Sequence, residues 1–245
     1  MKKEVGLALG GGSVLGAAHI GALRALDEFG YSFTHISGTS IGSLVGALAA
    51  FGKSWKDIEE IALDLSWYKA ARLSFSKMGL LSNEKLGESI ARIIGEVTFD
   101  QANIPLYIVA SNITNGEKVV LSKGDVTQAI MASTCVPGIF EPVEIGGQLL
   151  VDGGVSENVP VSVLTELGIT PVIAVDLMTK HTHKRPKNIF EVIINSFSFT
   201  LASSLLSLQG RENVIIISPQ LANFNSIDVK QIPKLITQGY EASAK

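Results

Sequence analysis

Two kinds of hydrophobic pattern alternate along the chain. Short apolar or β-branched runs predict strands, at residues 5–9, 33–37, 106–111, 118–121, 148–151, 171–177 and 213–217. Longer segments with apolar positions every three or four residues predict helices, at 16–29, 41–50, 55–65, 125–133, 160–167, 189–208 and 229–240. This alternation favours a three-layer α/β/α sandwich, in which helices cover both faces of a mainly parallel central sheet.

Turn and capping residues punctuate these segments. Gly30 ends the first helix, and Ser54 and Ser82 are placed to cap the helices that follow them. Residues 114–117 read T-N-G-E between two predicted strands, which indicates a hairpin turn. No repeat or low-complexity linker interrupts the chain, so we expect residues 1–245 to form one domain.

Composition narrows the class of protein. Hydrophobic residues make up 46% of the chain, charged residues 18%, and the net charge of −3 gives no electrostatic basis for binding nucleic acid. Cys135 is the only cysteine, so no internal disulfide forms, and its apolar neighbours favour a packed side chain. The first apolar run is too short for a signal peptide and no run suits a membrane span. We expect a cytoplasmic protein, peripheral to a membrane at most; the pattern leaves its oligomeric state open.

Residues 38–42 match G-x-S-x-G, with Ser40 at the centre. A strand-like run precedes them and a small, apolar helix-like run follows. Strand, sharp turn and buried helix form the context of a nucleophile elbow, in which the serine hydroxyl projects at a helix N-terminus. The motif also occurs by chance in turns rich in Gly and Ser. Whether Ser40 is catalytic therefore depends on the other motifs of the chain.

A glycine run at residues 10–12 follows the first strand and opens the first helix. Such a loop exposes several backbone N–H groups, which suit an oxyanion hole, although a tight turn alone would also require glycine. It matches a dinucleotide-binding loop poorly, because the next strand leads into Ser40 instead of an acidic residue.

Asp152 ends a predicted strand and is followed by two glycines. Two small residues allow another loop to approach the carboxylate closely. An ordinary turn stabilised by an Asp side chain gives the same pattern.

The three motifs, in this order, resemble the patatin-like lipid acyl hydrolases. Residues 132–142, 157–161 and 173–176 also resemble segments of that family, so the likeness extends over about residues 4–180. The resemblance implies a Ser–Asp dyad in which Ser40 is the nucleophile and Asp152 accepts its proton. It also implies attack on a lipid ester carbonyl and an acyl-enzyme intermediate, without cofactor or metal.

The same resemblance assigns supporting roles to the glycine-rich segments. Backbone N–H groups of Gly11, Gly12 and Ser13 are expected to hold the oxyanion. The remaining positions support the elbow and the aspartate loop, and they are Gly38, Gly42, Gly153 and Gly154.

Two positions depart from the family pattern. Leu15 stands where the family usually has Arg or Lys, and Ser13 stands where it often has Gly. A missing cation removes a contact for an anionic headgroup, so a neutral ester or a lysolipid becomes a more plausible substrate than a phospholipid. Acyl chain length, headgroup and regiochemistry are not readable from the sequence.

Three alternatives use other features of the chain. A Ser–His–Asp hydrolase would combine Ser40, Asp176 and His181 or His183 in the order of α/β-hydrolases. An acyltransferase would use the same serine with an acceptor other than water. A lipid carrier or interaction module would bind lipid without turnover.

Two polar or mixed segments carry weaker predictions. Residues 66–81 interleave aromatic, basic and aliphatic side chains, which suits transient contact with a membrane surface or an amphipathic helix packed on the core. His181 and His183 lack the carboxylate or thiol neighbours that a metal site needs. His19 and His35 are expected to pack in the interior.

Overall fold

The computed structural model describes residues 2–64, 84–178, 185–186, 189–203 and 212–244. The strands are β1 (Lys3–Leu9), β2 (Tyr31–Thr39), β3 (Leu106–Asn112), β4 (Lys118–Leu121), β5 (Val143–Ile145), β6 (Gln148–Asp152), β7 (Val172–Val175) and β8 (Val214–Ile217). The helices are α1 (Ala17–Glu28), α2 (Ile41–Ala50), α3 (Trp55–Leu63), α4 (Glu84–Ile94), α5 (Val126–Ser133), α6 (Val161–Glu166), α7 (Ile189–Ser203) and α8 (Ile232–Ser243).

The described strands form one mixed sheet in the order β5-β6-β3-β2-β1-β7-β8, and β4 pairs with β3 outside that path. Strands β3, β2, β1, β7 and β8 run parallel to one another. Strands β4 and β6 lie antiparallel to β3, and β5 lies antiparallel to β6. The sheet therefore has a parallel part and an antiparallel edge that meet at β3.

Side-chain alternation along the strands divides the core between the two faces of the sheet. Leu7 lies in the larger hydrophobic cluster with Leu48 of α2. Ala8 and Ala174 point to the opposite face and pack with Leu164 of α6. Both faces are apolar because helices cover both, as expected for a largely parallel sheet. The predicted three-layer α/β architecture is confirmed.

Predicted and observed element ends agree to within three residues wherever both lie in the described part of the chain. Gly30 ends α1 with a left-handed φ of 76°, and Ser54 caps α3 in a capping box with Asp57. The hairpin turn places Gly116 at a φ of 76° between β3 and β4. The proposed cap at Ser82 lies outside the described residues, and β5 was not predicted because it is only three residues long.

None of the described helices is both long enough and apolar enough to cross a membrane.

Candidate active site

Ser40 occupies a sharp turn between β2 and α2. Its φ of 53° and ψ of −127° are rarely adopted by residues other than glycine. The flanking glycines are required sterically, because a Cβ on Gly38 would lie 2.5 Å from the Gly42 carbonyl oxygen and one on Gly42 would overlap the Leu9 carbonyl. The G-x-S-x-G segment thus adopts the strand–turn–helix geometry expected from its sequence.

A buried serine on a neighbouring helix holds the backbone of this turn. The Ser40 N–H donates to Ser133 Oγ at 2.8 Å, and Ser133 Oγ donates to the Val109 carbonyl at 2.6 Å. Ser133 is fully buried at the end of α5. Sequence analysis gave it no role, although it lies in a segment that carries the family resemblance.

Asp152 lies at the end of β6 and is completely buried. Its Oδ1 accepts a hydrogen bond from the Gly154 N–H at 2.8 Å, and its own N–H donates to the Cys135 carbonyl at 2.8 Å. A Cβ on Gly153 would overlap the Val109 carbonyl, so the chain after Asp152 passes tightly against β3.

Burial raises the pKa of Asp152 from 3.8 to about 7. Side-chain hydrogen bonding with Ser40 and the Gly154 N–H lower this pKa, but by less than burial raises it. The other carboxyl oxygen of Asp152, Oδ2, is buried and has no hydrogen-bond partner among the described residues. The structure therefore brings the Ser40 hydroxyl to the Asp152 carboxyl and leaves one carboxyl oxygen with capacity to accept a proton.

The glycine loop lies directly against the serine. A Cβ on Gly11 would be 3.1 Å from the Ser40 Cβ, closer than ordinary packing, so glycine favours this approach. The Gly11 N–H, however, donates to Asn158 Oδ1 at 3.0 Å. The Gly11 N–H is thus engaged within the protein, which favours the next donors of the loop for the predicted oxyanion contact.

The next two backbone donors of the loop differ from Gly11. Within the described part of the chain, neither the Gly12 N–H nor the Ser13 N–H has an acceptor. Ser13 adopts a φ of 54° and begins a short 3-10 turn, Ser13–Gly16. Unpaired N–H groups at the start of such a turn favour a negatively charged oxygen.

Asn158 was missed as a contributor to this region. Its side chain is fully buried between the glycine loop and the segment that follows Asp152, and its Nδ2 has no partner among the described residues. In the sequence, residues 157–161 carry part of the family resemblance, but nothing there singles out Asn158.

His19 supports the loop from α1. Its Nε2 donates to the Gly10 carbonyl at 2.8 Å, and burial lowers its pKa from 6.5 to about 4. The imidazole is therefore neutral near pH 7 and fixes the loop backbone, as its predicted interior position suggested. His35 stacks on Tyr107 with ring centroids 6.3 Å apart.

Of the residues in the rival Ser–His–Asp assignment, the structure describes Asp176 and not the histidines. Asp176 is buried at the end of β7, where its Oδ1 accepts from the Met178 N–H at 3.1 Å. His181, His183 and the segment 66–81 lie outside the described residues. No group of three or more metal-binding side chains is found in the described ranges.

Leu15 follows the glycine loop, in the short turn Ser13–Gly16. Its side chain is fully buried in the hydrophobic core. The position thus contributes to packing and presents no charge to the loop.

Comparison with known proteins supports the sequence resemblance. A sequence model of the patatin-like phospholipase family matches residues 7–165. An NTE family protein from Mycobacterium bovis is 36% identical over 177 residues, covering 71% of this chain and 49% of the relative. Lysophospholipase NTE1 from Mycosarcoma maydis is 33% identical over 182 residues, covering 71% of this chain and 10% of the relative. The chain thus spans about half the length of the mycobacterial relative and a tenth of the fungal one.

A solved structure shares the fold. The crystal structure of VipD from Legionella pneumophila matches with a TM-score of 0.63 and 16% sequence identity, covering 99% of this chain and 66% of that chain. At this identity the likeness concerns the fold alone.

Proposed function

Because the chain belongs to the patatin-like phospholipase family, we propose that it hydrolyses a lipid acyl ester with Ser40 as nucleophile and Asp152 as general base. Family membership and the lysophospholipase names of the fungal relatives support lipid acyl hydrolysis. The roles of Ser40 and Asp152 and the reaction steps go beyond family membership and are proposed from the site geometry.

One observation carries the assignment: a fully buried carboxyl with a pKa of about 7 adjoins a serine on a strained turn. A carboxylate with an ordinary pKa is too weak a base to deprotonate a hydroxyl effectively. A carboxyl with a pKa near the working pH is a stronger base and is still partly ionised, so it accepts a proton more effectively. Burial of Asp152 thus fits proton transfer from Ser40.

Acylation would proceed through a tetrahedral intermediate. Ser40 Oγ bonds to the ester carbonyl carbon while its proton passes to Asp152, and the carbonyl oxygen becomes an oxyanion. The free N–H groups of Gly12 and Ser13 would donate to that oxygen. When the intermediate collapses, the bond to the lipid alcohol breaks and the alcohol leaves with the proton from Asp152.

Deacylation would reverse these roles with water. Asp152 takes a proton from a water molecule as its oxygen attacks the acyl-Ser40 carbonyl. The second tetrahedral intermediate then releases Ser40 Oγ, which recovers the proton, and a free fatty acid. An alcohol in place of water would give acyl transfer by the same residues.

The uncharged position 15 bears on the substrate. Leu15 is uncharged and buried in the core, so this position offers no cation to a phosphate near the glycine loop. We expect faster turnover of neutral esters, which carry no phosphate, than of phospholipids, and the names of the fungal relatives add lysophospholipids to the lipids to be compared. Release of fatty acid from a panel of these lipids, with product analysis for ester exchange, checks both this preference and hydrolysis against transfer.

Labelling with a fluorophosphonate tests the nucleophile directly. We expect the probe to modify Ser40, located by peptide mass spectrometry, and labelling to be lost in Ser40→Ala and strongly slowed in Asp152→Asn. Ser32→Ala serves as a control for a serine near the start of β2. Turnover of a p-nitrophenyl ester by Ser40→Ala at the wild-type rate would refute the assignment and favour lipid binding without catalysis.

A further inference from the structure

Asn158 links the glycine loop to the rest of the candidate site. Its Oδ1 accepts the Gly11 N–H at 3.0 Å, and its backbone carbonyl lies 3.3 Å from the same nitrogen. A Cβ on Gly11 would be 2.8 Å from Asn158 Oδ1 and 3.1 Å from the Ser40 Cβ. Gly11 therefore lies between the amide of Asn158 and the serine.

The segment that carries Asn158 is itself fixed to the elbow strand. Thr39 Oγ1 donates to the Glu157 carbonyl at 2.9 Å, and Ser37 Oγ donates to the Pro160 carbonyl at 2.8 Å. These two bonds attach the chain on either side of Asn158 to β2, which ends at Thr39, directly before Ser40. The asparagine thus projects from a fixed support.

Only one of the two polar atoms of the Asn158 amide has a hydrogen-bond partner among the described residues. The side chain is fully buried, and its Nδ2 has no partner among the described residues. A buried, unpaired donor destabilises a protein, so retaining asparagine here argues for a role of the other half of the amide. That half, Oδ1, contacts the loop.

We propose that Asn158 is a positioning residue that aligns the oxyanion loop: by accepting the Gly11 N–H, it directs the N–H groups of Gly12 and Ser13 towards the carbonyl oxygen of the substrate. The proposal rests on the proposed function for its catalytic consequence. Its structural element, the hydrogen bond to Gly11, can be tested without turnover.

The alignment matters because oxyanion donors act only within a narrow range of distances. The Gly12 and Ser13 N–H groups belong to the chain that continues from Gly11, so a shift of Gly11 moves them too. Displacements of about 1 Å can reduce rates about 100-fold, whereas ground-state binding of the acyl chain is little affected. Loss of Asn158 should therefore lower kcat and leave KM nearly unchanged.

The test compares Asn158→Leu with Ser111→Ala. Leucine keeps the approximate shape of asparagine and removes both polar atoms, including the unpaired donor. Ser111→Ala removes a hydrogen bond of a buried serine, to Ser156 Oγ, and touches neither Gly11 nor the bonds that fix Asn158 to β2. With a soluble p-nitrophenyl ester, we expect Asn158→Leu to reduce kcat about 10- to 100-fold at unchanged KM, and Ser111→Ala to stay within about threefold of wild type.

Two further measurements separate alignment from general damage. The affinity for a trifluoromethyl ketone, which forms a tetrahedral adduct on serine, should fall in Asn158→Leu by the same factor as kcat/KM. The ¹⁵N–¹H resonance of Gly11 should shift in Asn158→Leu and not in Ser111→Ala. Thermal unfolding should show Asn158→Leu folded.

The outcomes are distinguishable. Equal kcat losses in the two variants, or an unchanged Gly11 resonance in folded Asn158→Leu, would overturn the positioning role. If Ser40→Ala retains full turnover, the proposed function fails; a shifted Gly11 resonance would then still support the hydrogen bond and an unshifted one would reject it.

Discussion

The parallel and antiparallel parts of the sheet contribute to the candidate site in different ways. In the parallel part, β1 and β2 end side by side, with Leu9 opposite Gly38, so the glycine loop and Ser40 emerge together. In the antiparallel part, the pairing of β6 with β3 places Asp152 opposite Ala110. Two parts of the site can thus be distinguished. The serine half, with Ser40 and the glycine loop, is formed by neighbouring strands that end together, whereas the position of the aspartate half, with Asp152, depends on the register between β6 and β3.

Strand β3 separates the two halves. Thr39 lies opposite Val109, and Asp152 lies opposite the next residue of β3, Ala110. Two strand spacings amount to about 10 Å, so the chains beyond β2 and β6 must converge over the end of β3. The close approach of Gly153 to the Val109 carbonyl permits this convergence. The turn at Ser40 is thus a local feature of the chain, whereas its approach to Asp152 depends on long-range strand pairing.

The largest predicted effect comes from Asp152→Asn, which changes the antiparallel half alone. Loss of the proton acceptor should reduce kcat about 10⁴-fold. The same substitution should stabilise the protein at neutral and higher pH, because it removes a buried carboxylate. The kinetics of ester hydrolysis and thermal unfolding of the same preparation measure the two opposite effects.

The sign of the stability effect follows from the raised pKa of Asp152. The folded protein holds this proton up to about pH 7, whereas the unfolded chain releases it near pH 4, so wild-type stability falls as pH rises between these values. The advantage of Asp152→Asn should grow across that window to about 4 kcal/mol at most, and stay constant above it. An advantage that does not change between pH 5 and pH 8 would contradict the raised pKa.

Ser133→Ala should have the next largest effect, because Ser133 ties the Ser40 turn to β3. Its loss leaves the partly buried Ser40 N–H and the Val109 carbonyl without this partner, which should lower the free energy of unfolding by about 1–3 kcal/mol. Relaxation of the Ser40 backbone should reduce kcat by about 100-fold. Ester kinetics and denaturant unfolding measure both.

Ser111→Ala is the matched control for Ser133→Ala. Ser111 is also fully buried, but its hydroxyl bonds to Ser156 Oγ at 2.8 Å rather than to the elbow. We expect a similar loss of stability with kcat within about threefold of wild type. Equal kcat losses in the two alanine variants would show that Ser133 acts only through stability.

The sequence predicted the local half of the site well. A strand, a G-x-S-x-G turn and an apolar helix are contiguous, so their pattern determines the elbow at Ser40. The role of Asp152 was predicted only from the resemblance of the chain to the family, because no local rule reveals a pairing between residues more than one hundred positions apart. The engagement of the Gly11 N–H could not be foreseen, since its acceptor, Asn158, comes from a distant segment.

Buried polar contacts explain the remaining misses. Ser133 and Asn158 act through hydrogen bonds to backbone atoms, which any serine or asparagine can make in principle. Only the fold determines which of them reach the site. A buried polar residue directly before or after a catalytic motif is the signal that could have pointed to them.

His19→Gln tests the parallel part of the sheet, because His19 bonds the glycine loop that follows β1. Because burial lowers the pKa of His19 to about 4, the unfolded chain takes up a proton near pH 6.5 that the folded protein refuses. Stability should therefore fall as pH drops from about 6.5 to about 4, by up to about 3 kcal/mol. Glutamine can still donate to the Gly10 carbonyl but does not titrate, so this acid-induced loss should be smaller in the variant.

The pH dependence of unfolding measures the contribution of His19, opposite in sign to that of Asp152. The ratio of unfolding free energies between pH 7 and pH 4.5 should be closer to one in His19→Gln than in wild type. An identical acid-induced loss in both proteins would mean that His19 is protonated in the folded state.

The smallest predicted effect concerns the ion pair that braces the segment after Asp152. Lys118 Nζ of β4 lies 3.0 Å from Glu157 Oε2, and Glu157 also accepts from the Ser162 N–H at 3.0 Å. Because Ser162 remains a partner, Lys118→Met should cost at most about 1 kcal/mol and change kcat less than about threefold. Arg92→Met, at a far more exposed pair with Glu88, should have no measurable effect. A loss of kcat in Lys118→Met as large as in Ser133→Ala would mean that this ion pair contributes as much to the geometry of the candidate site as the hydrogen bonds of Ser133.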